Sequence, residues 1–180
     1  RTVAGGGQMQ AYGEYLKGVL VAGGYAPAEV TVEPLEGSAI LVARYPGTDP
    51  QRKPILISGH MDVVEAKPQD WERDPFTAVV ENGYVYGRGA SDNKFDVSMV
   101  VATLARLRAE GWRPGRDVIL ALSGDEETTM ATSAVLAQRF ANAELVINVD
   151  GGGGLLRDGQ PAYYGIQGAE KSYADFAIVQ

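Results

Sequence analysis

Val118-Ile119-Leu120-Ala121-Leu122-Ser123-Gly124-Asp125-Glu126-Glu127 passes from five consecutive apolar residues through a small serine-glycine step into three acids. A run this short, bounded by glycine and charge, suits a buried strand with the acids standing just beyond its carboxyl end. Upstream, Phe95, Met99, Val100, Leu104 and Leu107 recur with helical period, which predicts a long helix opened by Ser91 or Asp92 and closed by Gly111, with Pro114 beyond. Downstream, residues 128–140 read as a second helix and 145–149 as a second buried strand. Residues 55–57 supply a third apolar run, a buried central strand that stops at Ser58-Gly59. Strand, helix, strand, helix, strand in that order implies parallel pairing with helices on the sheet faces. The expected fold class is α/β, a three-layer α/β/α sandwich around a mostly parallel central sheet.

The flanking segments fit around this centre. Met9, Tyr12, Leu16, Val19 and Leu20 mark an amphipathic helix over 9–21, ended by Gly23 and Gly24. Residues 30–32 and 39–45 read as strands joined through Gly37, and Pro34 suggests that they pair at a sheet edge. Asn82-Gly83, the dipeptide best suited to a tight hairpin turn, separates strands at 78–81 and 84–86. Residues 68–75 are loop-like and 151–154 form a flexible glycine turn. Residues 161–166 and 171–179 look extended, the latter as the opening of a second module.

Composition narrows the chemistry. A chain of 180 residues, 45% of them hydrophobic, can bury one core, and domains of this size hide roughly 70% of their unfolded surface. Sixteen Lys and Arg against 23 Asp and Glu give a formal charge of −7, opposite in sign to a phosphate-binding surface, so nucleic acid is not an expected partner. There is no cysteine, which removes disulfides and thiolate ligands and leaves histidine and carboxylates to hold any metal. No run has the length of a membrane span, and residues 1–10 do not look like an intact signal peptide. The compartment is therefore left open: cytoplasmic, or periplasmic or secreted had a signal peptide been removed.

In open α/β sheets, ligands sit beyond the carboxyl ends of the strands. His60 and Asp62 follow the run at 55–57, Asp125, Glu126 and Glu127 the run at 118–122, and Asp150 the run at 145–149. Asp92 stands where the long helix opens, and free backbone N–H groups there favour a carboxylate. Imidazole and carboxylate oxygen are ordinary ligands of a hydrolytic metal. Asp62 can accept the second ring N–H of His60 and fix the tautomer that binds metal. Of Glu126 and Glu127 only one needs to coordinate, leaving the other to move a proton. Each residue also has a plainer reading: His60 as a hydrogen-bonded strand-end residue, Asp92 as a helix cap, Glu126-Glu127 as a solvated first turn. None of these explains why all fall beyond the same sheet edge. Gly87-Arg88-Gly89 and the glycines at 151–154 lack the spacing of a nucleotide-binding loop. Trp71 and Phe76 either pack their loop onto the sheet or meet substrate, and Arg88 is either a surface charge or an ion-pair partner for the acidic cleft.

Ser58-Gly59-His60-Met61-Asp62-Val63-Val64, Gly87-Arg88-Gly89-Ala90-Ser91-Asp92-Asn93-Lys94, Ser123-Gly124-Asp125-Glu126-Glu127 and Asn148-Val149-Asp150-Gly151 together closely resemble metallopeptidase family 20 of clan MH. Carboxypeptidase G, aminoacylase, succinyl-diaminopimelate desuccinylase and dipeptidases belong to that family, and the loop from Trp71 to Phe76 looks like its substrate-side loop. The resemblance implies a zinc-exopeptidase-like fold holding two zinc ions, with cobalt or manganese as substitutes. It implies that His60 and Asp150 ligate the first ion, that Asp92 bridges both, that Glu127 ligates the second, that Glu126 is the general base and that Asp62 orients His60. The reaction implied is hydrolysis of a peptide or N-acyl amino-acid amide bond by a hydroxide shared between the ions, as in dipeptidases and carboxypeptidases. Family members complete the second ion with a later histidine, whereas His60 is the one histidine here. The chain accordingly reads as an incomplete catalytic metal-binding domain over 1–168, truncated at 169–180 in the first strand of an inserted lid, through which family members form homodimers. The rival reading is a non-catalytic metal- or peptide-binding module of the same fold, and a nucleotide-binding domain stands behind it.

Overall fold

The computed structural model describes residues 1–151 and 153–169 together with Phe176 and Ile178. The chain divides into two compact units, Arg1–Asp150 and Gly151–Gln180.

The first unit is built in chain order from α1 (Met9–Ala22), β1 (Val30–Leu35), β2 (Ser38–Tyr45), β3 (Ile55–His60), β4 (Val79–Glu81), β5 (Tyr84–Tyr86), α2 (Lys94–Ala109), β6 (Val118–Ser123), α3 (Ala131–Arg139) and β7 (Leu145–Asn148). Five strands form one sheet in the order β1-β2-β6-β3-β7, while β4 and β5 make a separate hairpin through Asn82-Gly83, both at positive φ. β3 runs parallel to both β6 and β7, as the alternation predicts. The β1–β2 hairpin turns at Glu36-Gly37 and adds two antiparallel strands, with β1 at the edge, so the sheet is mixed.

Chain direction explains the layers. The step from β3 to β6 goes one way across the sheet and the step from β6 to β7 goes back the other way, so right-handed crossovers put α2 and α3 on opposite faces. On one face, Leu16, Leu20, Val97, Val101 and Leu104 pack against Leu41, Ala43, Tyr45, Leu120 and Leu122. On the other, Leu136 covers Ile40, Leu56, Ile119 and Ala121. All six residues of β6 are buried, which fits its near-continuous apolar run. The point where the two crossovers diverge, between β3 and β6, is also where an open α/β sheet leaves a crevice at its carboxyl edge.

Four expectations change. α2 begins at Lys94, two residues after Asp92, and its buried face is Val97, Val101, Leu104 and Ala105, whereas Phe95 and Met99 are each 52% exposed. Apolar residues lie on more than one side of this helix, so its period can be phased two ways. α3 begins at Ala131 because Thr128–Met130 form a turn closed on Asp125. β7 lies at the sheet edge with Leu145, Val146 and Ile147 all exposed; an apolar run identifies a strand but not its place in the sheet. Gly153 and Gly154 belong to a strand rather than to a turn.

The second unit, taken by itself, contains a hairpin of β8 (Gly153–Arg157) and β9 (Gln160–Gly165) turning through Asp158-Gly159, both at positive φ. The extended segment expected over 171–179 falls outside the described residues, apart from Phe176 and Ile178. No helix among the described residues is long and apolar enough to cross a membrane.

The observed phase of α2 separates two substitutions. Val101→Ala should lower the unfolding free energy by about 2 kcal/mol, and Met99→Ala should change it by less than about 0.5 kcal/mol. Urea midpoints measure both, and a larger effect at Met99 would contradict this packing.

Candidate metal centre

β3 carries straight into the site. Its last residue, His60, still pairs in register with Ser123 of β6 and is 1% exposed. A side chain at Gly59 has no room, because a Cβ there would lie 2.8 Å from Val149 Cγ2 and 3.0 Å from Asn93 Oδ1. With its backbone fixed, the imidazole presents its two nitrogens to different surroundings. Nδ1 lies 3.2 Å from the Asp62 carbonyl oxygen and 3.3 Å from Asp62 Oδ1. Nε2 lies 2.9 Å from Asp92 Oδ1 and 3.6 Å from Asp150 Oδ2.

Asp62, itself 1% exposed, also fixes the opposite wall of the cleft. Its Oδ1 accepts the Glu126 N–H at 3.1 Å and its Oδ2 the Glu127 N–H at 3.0 Å. One buried carboxylate thus positions both the imidazole and the two glutamates. Asp125 points elsewhere. Its carboxylate accepts from Ala131 N at 2.9 Å, from Thr132 N at 3.0 Å and from the hydroxyls of Thr129 and Thr132, so it caps the turn into α3. Burial pushes its pKa up, but these hydrogen bonds outweigh burial and hold the carboxyl below the usual range.

The predicted ligands are brought together. Ligand atoms of His60, Asp92 and Glu127 lie within 4.8 Å of one another, as do those of His60, Glu126 and Asp150. The grouping sets Glu127 beside Asp92 and Glu126 beside Asp150, with the imidazole common to both. Burial lowers the His60 pKa, but the hydrogen bond and charge of Asp62, the charge of Asp150 and the bond to Asp92 together raise it to about 9. Burial raises Glu126 and Glu127, and neighbouring carboxylates push both further up against the opposing pull of His60. The cleft therefore favours positive charge at Nε2 and in front of the glutamates. A borderline divalent transition-metal ion has that charge, and imidazole and carboxylate oxygen are donors it takes, so the residues present fit a metal.

Two neighbours of Asp92 were not picked out from the sequence. Asn93 is buried and bonds to His60, Val149 and Asp150. Lys94 Nζ donates to the Met61 carbonyl at 3.0 Å while lying 3.6 Å from the Tyr12 ring centroid, and burial lowers it to about 8, partly offset by Asp62. A polar pair directly after a candidate ligand was the available signal, and the helix start predicted at Ser91 or Asp92 hid it. Arg88 stacks its guanidinium 5.4 Å from the Trp71 ring centroid, and Phe76 lies under Arg1 at 4.6 Å. A cavity of about 420 Å³ extends from His60, Glu126 and Asp150 along α3, lined by Leu56, Leu136 and Phe140.

Comparison with known proteins bears on this arrangement. Residues 56–173 match the family model described as Peptidase family M20/M25/M40. The chain is 36% identical over 115 residues to the N-fatty-acyl-amino acid synthase/hydrolase PM20D1 of Mus musculus, a match covering 61% of this chain and 22% of that protein. It is 36% identical over 97 residues to aminoacylase-1 of Sus scrofa, covering 53% of this chain and 24% of that protein. The chain thus spans less than a quarter of the length of these two relatives. Among solved structures, the M20 family metallo-carboxypeptidase Sso-CP2 from Sulfolobus solfataricus superposes with a TM-score of 0.67 at 26% identity, over 81% of this chain and 33% of that one.

The capping role of Asp125 gives a pH signature. A carboxyl whose folded pKa lies below its unfolded one contributes stability above the unfolded value and loses it as pH falls through the folded value. Asp125→Asn should therefore lower stability by about 2 kcal/mol at neutral pH, flatten the acid limb of the stability curve and leave metal stoichiometry unchanged. Urea unfolding between pH 2 and 7 of the same variant, with elemental analysis, reads all three.

Proposed function

The chain belongs to peptidase family M20/M25/M40, and from that membership we propose that it carries most of the active site of a two-zinc hydrolase that cleaves a peptide or N-acyl amino-acid amide bond. The observation that carries this reading is the convergence of Asp92, Asp150, Glu126 and Glu127 on the one imidazole, from three separate segments. In this reading His60, Asp92, Glu127 and Asp150 are the residues that would hold the two ions. The remaining histidine of the second ion's set is not a residue of this chain, whose one histidine is His60. Zinc bound here would polarise the scissile carbonyl and make water acidic enough to attack at neutral pH.

The chain's own groups divide the remaining work. Asp62 keeps Nδ1 of His60 engaged, so that Nε2 is left to the side of Asp92 and Asp150, and the bonds it accepts from two backbone N–H groups hold Glu126 and Glu127 in place. Glu126 takes the proton from the attacking water and returns it to the leaving nitrogen. Its place beside Asp150 and His60 supports that role. Likeness to an N-fatty-acyl-amino acid synthase/hydrolase and to aminoacylase-1 favours an N-acyl amino acid as substrate, and likeness to a metallo-carboxypeptidase favours a short peptide. Residues 1–168 then belong to the catalytic domain and 169–180 begin a lid through which the protein dimerises.

In the intact protein, Glu126→Ala should keep its metal and lose about 10²–10⁴-fold in kcat, whereas Asp92→Ala should lose metal on dialysis, followed by elemental analysis. A panel of dipeptides and N-acyl amino acids, with and without chelator, reads the activity. Near-wild-type turnover by Glu126→Ala would refute the base assignment, and a metal-loaded protein that turns over nothing on the panel would leave the non-catalytic binding module.

A further inference from the structure

Asn93 has no role in the ligand set above, yet it is 1% exposed and its amide joins the ends of two strands. Oδ1 accepts the His60 N–H at 3.3 Å. On the other side, Nδ2 donates to the Val149 carbonyl at 3.1 Å and to Asp150 Oδ1 at 3.4 Å. The place of these bonds in the sheet gives them their meaning. β3 and β7 pair in parallel register as far as Ser58 and Asn148, and the Val149 N–H still donates to the Ser58 carbonyl at 2.8 Å. In a regular parallel ladder the next bond would run from the His60 N–H directly to the Val149 carbonyl. The Asn93 amide stands between those two groups, accepting from one and donating to the other.

Resting on the proposed metal site, we infer that Asn93 is a positioning residue whose side-chain amide is a spacer inserted into the β3–β7 ladder, setting the separation of His60 and Asp150. One direct bond is replaced by two through a planar group, so the strands diverge just ahead of the side chains that would share an ion. The second Nδ2 bond engages Oδ1 of Asp150 while Oδ2 lies 3.6 Å from His60 Nε2. Gly59 complements the spacer, since any Cβ there would press on Asn93 Oδ1. An amide suits the position, because its planar group offers an acceptor on one side and a donor on the other. A carboxylate of the same size could accept from His60 but would face the Val149 carbonyl and the Asp150 carboxylate with no proton to give. An apolar side chain would make neither bond and would let the ladder close directly.

The test uses Asn93→Asp and Asn93→Leu in the intact protein, with zinc affinity measured by chelator competition, thermal unfolding of the metal-free protein, and kcat and KM. Zinc affinity should fall about 10–100-fold in both variants, with the metal-free protein still unfolding in one cooperative transition and kcat falling more than KM rises. Zinc affinity within about twofold of wild type in either folded variant overturns the inference. Should Asn93→Leu fail to fold, the isosteric Asn93→Asp decides the matter on affinity alone, and loss of the fold in both variants overturns the spacer in favour of a general packing role. Wild-type protein that binds no zinc would defeat the metal site itself, an outcome distinct from variants that bind as wild type does.

Discussion

Asp62, Asp92, Glu126, Glu127 and Asp150 crowd around one imidazole, and two carboxylates 4 Å apart repel by roughly 4 kcal/mol at an effective dielectric near 20. Much of the first unit is arranged to hold these groups against that repulsion. The β3–β6 ladder fixes His60 from behind, and Asp62 spreads its charge over two backbone N–H groups from the far side of the crevice. His60 is drawn toward protons by its acidic neighbours, and Glu126 and Glu127 are raised first by burial and further by the carboxylates around them, Asp150 and Asp62 for Glu126 and Asp92 and Asp62 for Glu127. A bound cation relieves the repulsion without requiring any of the carboxylates to neutralise.

The architecture and the gathering of these acidic residues around His60 were legible in the sequence for a physical reason. A parallel strand buried on both faces needs an unbroken apolar run, and a functional group at its end must follow immediately, so 118–127 announces both in ten residues. His60 and Asp150 sit in the same relation to β3 and β7, and the structure brings all of them with Asp92 to one crevice. The hairpin turns were readable too, because Asn82-Gly83 is among the few dipeptides that tolerate positive φ at both positions.

What the sequence concealed lies in properties that no local pattern encodes. The α2 stripe can be phased on Phe95 and Met99 or on Val97 and Val101, and only packing against α1 and the sheet selects the second. Leu145, Val146 and Ile147 have the hydropathy of a central strand and the position of an edge strand. Asp125 differs from Glu126 in no composition-level respect, yet its shorter side chain reaches back to Thr132 and caps a turn while its neighbours face the crevice. Asn93 was passed over because a polar residue at a helix start has an ordinary explanation, and its bonds to β3 and β7 depend on contacts distant in sequence.

The strand order also has a bearing on how the molecule is made. β2 and β3 are consecutive in the chain but separated in the sheet by β6, whose Val118 pairs with Tyr45. At ribosomal rates of about 5–20 residues per second, the roughly seventy residues between those partners take several seconds to emerge. For that interval the nascent chain carries two apolar strands with their shared flank bare, the kind of surface that chaperones bind and that other nascent chains can join. The strand that closes the core is thus a late arrival in biosynthesis.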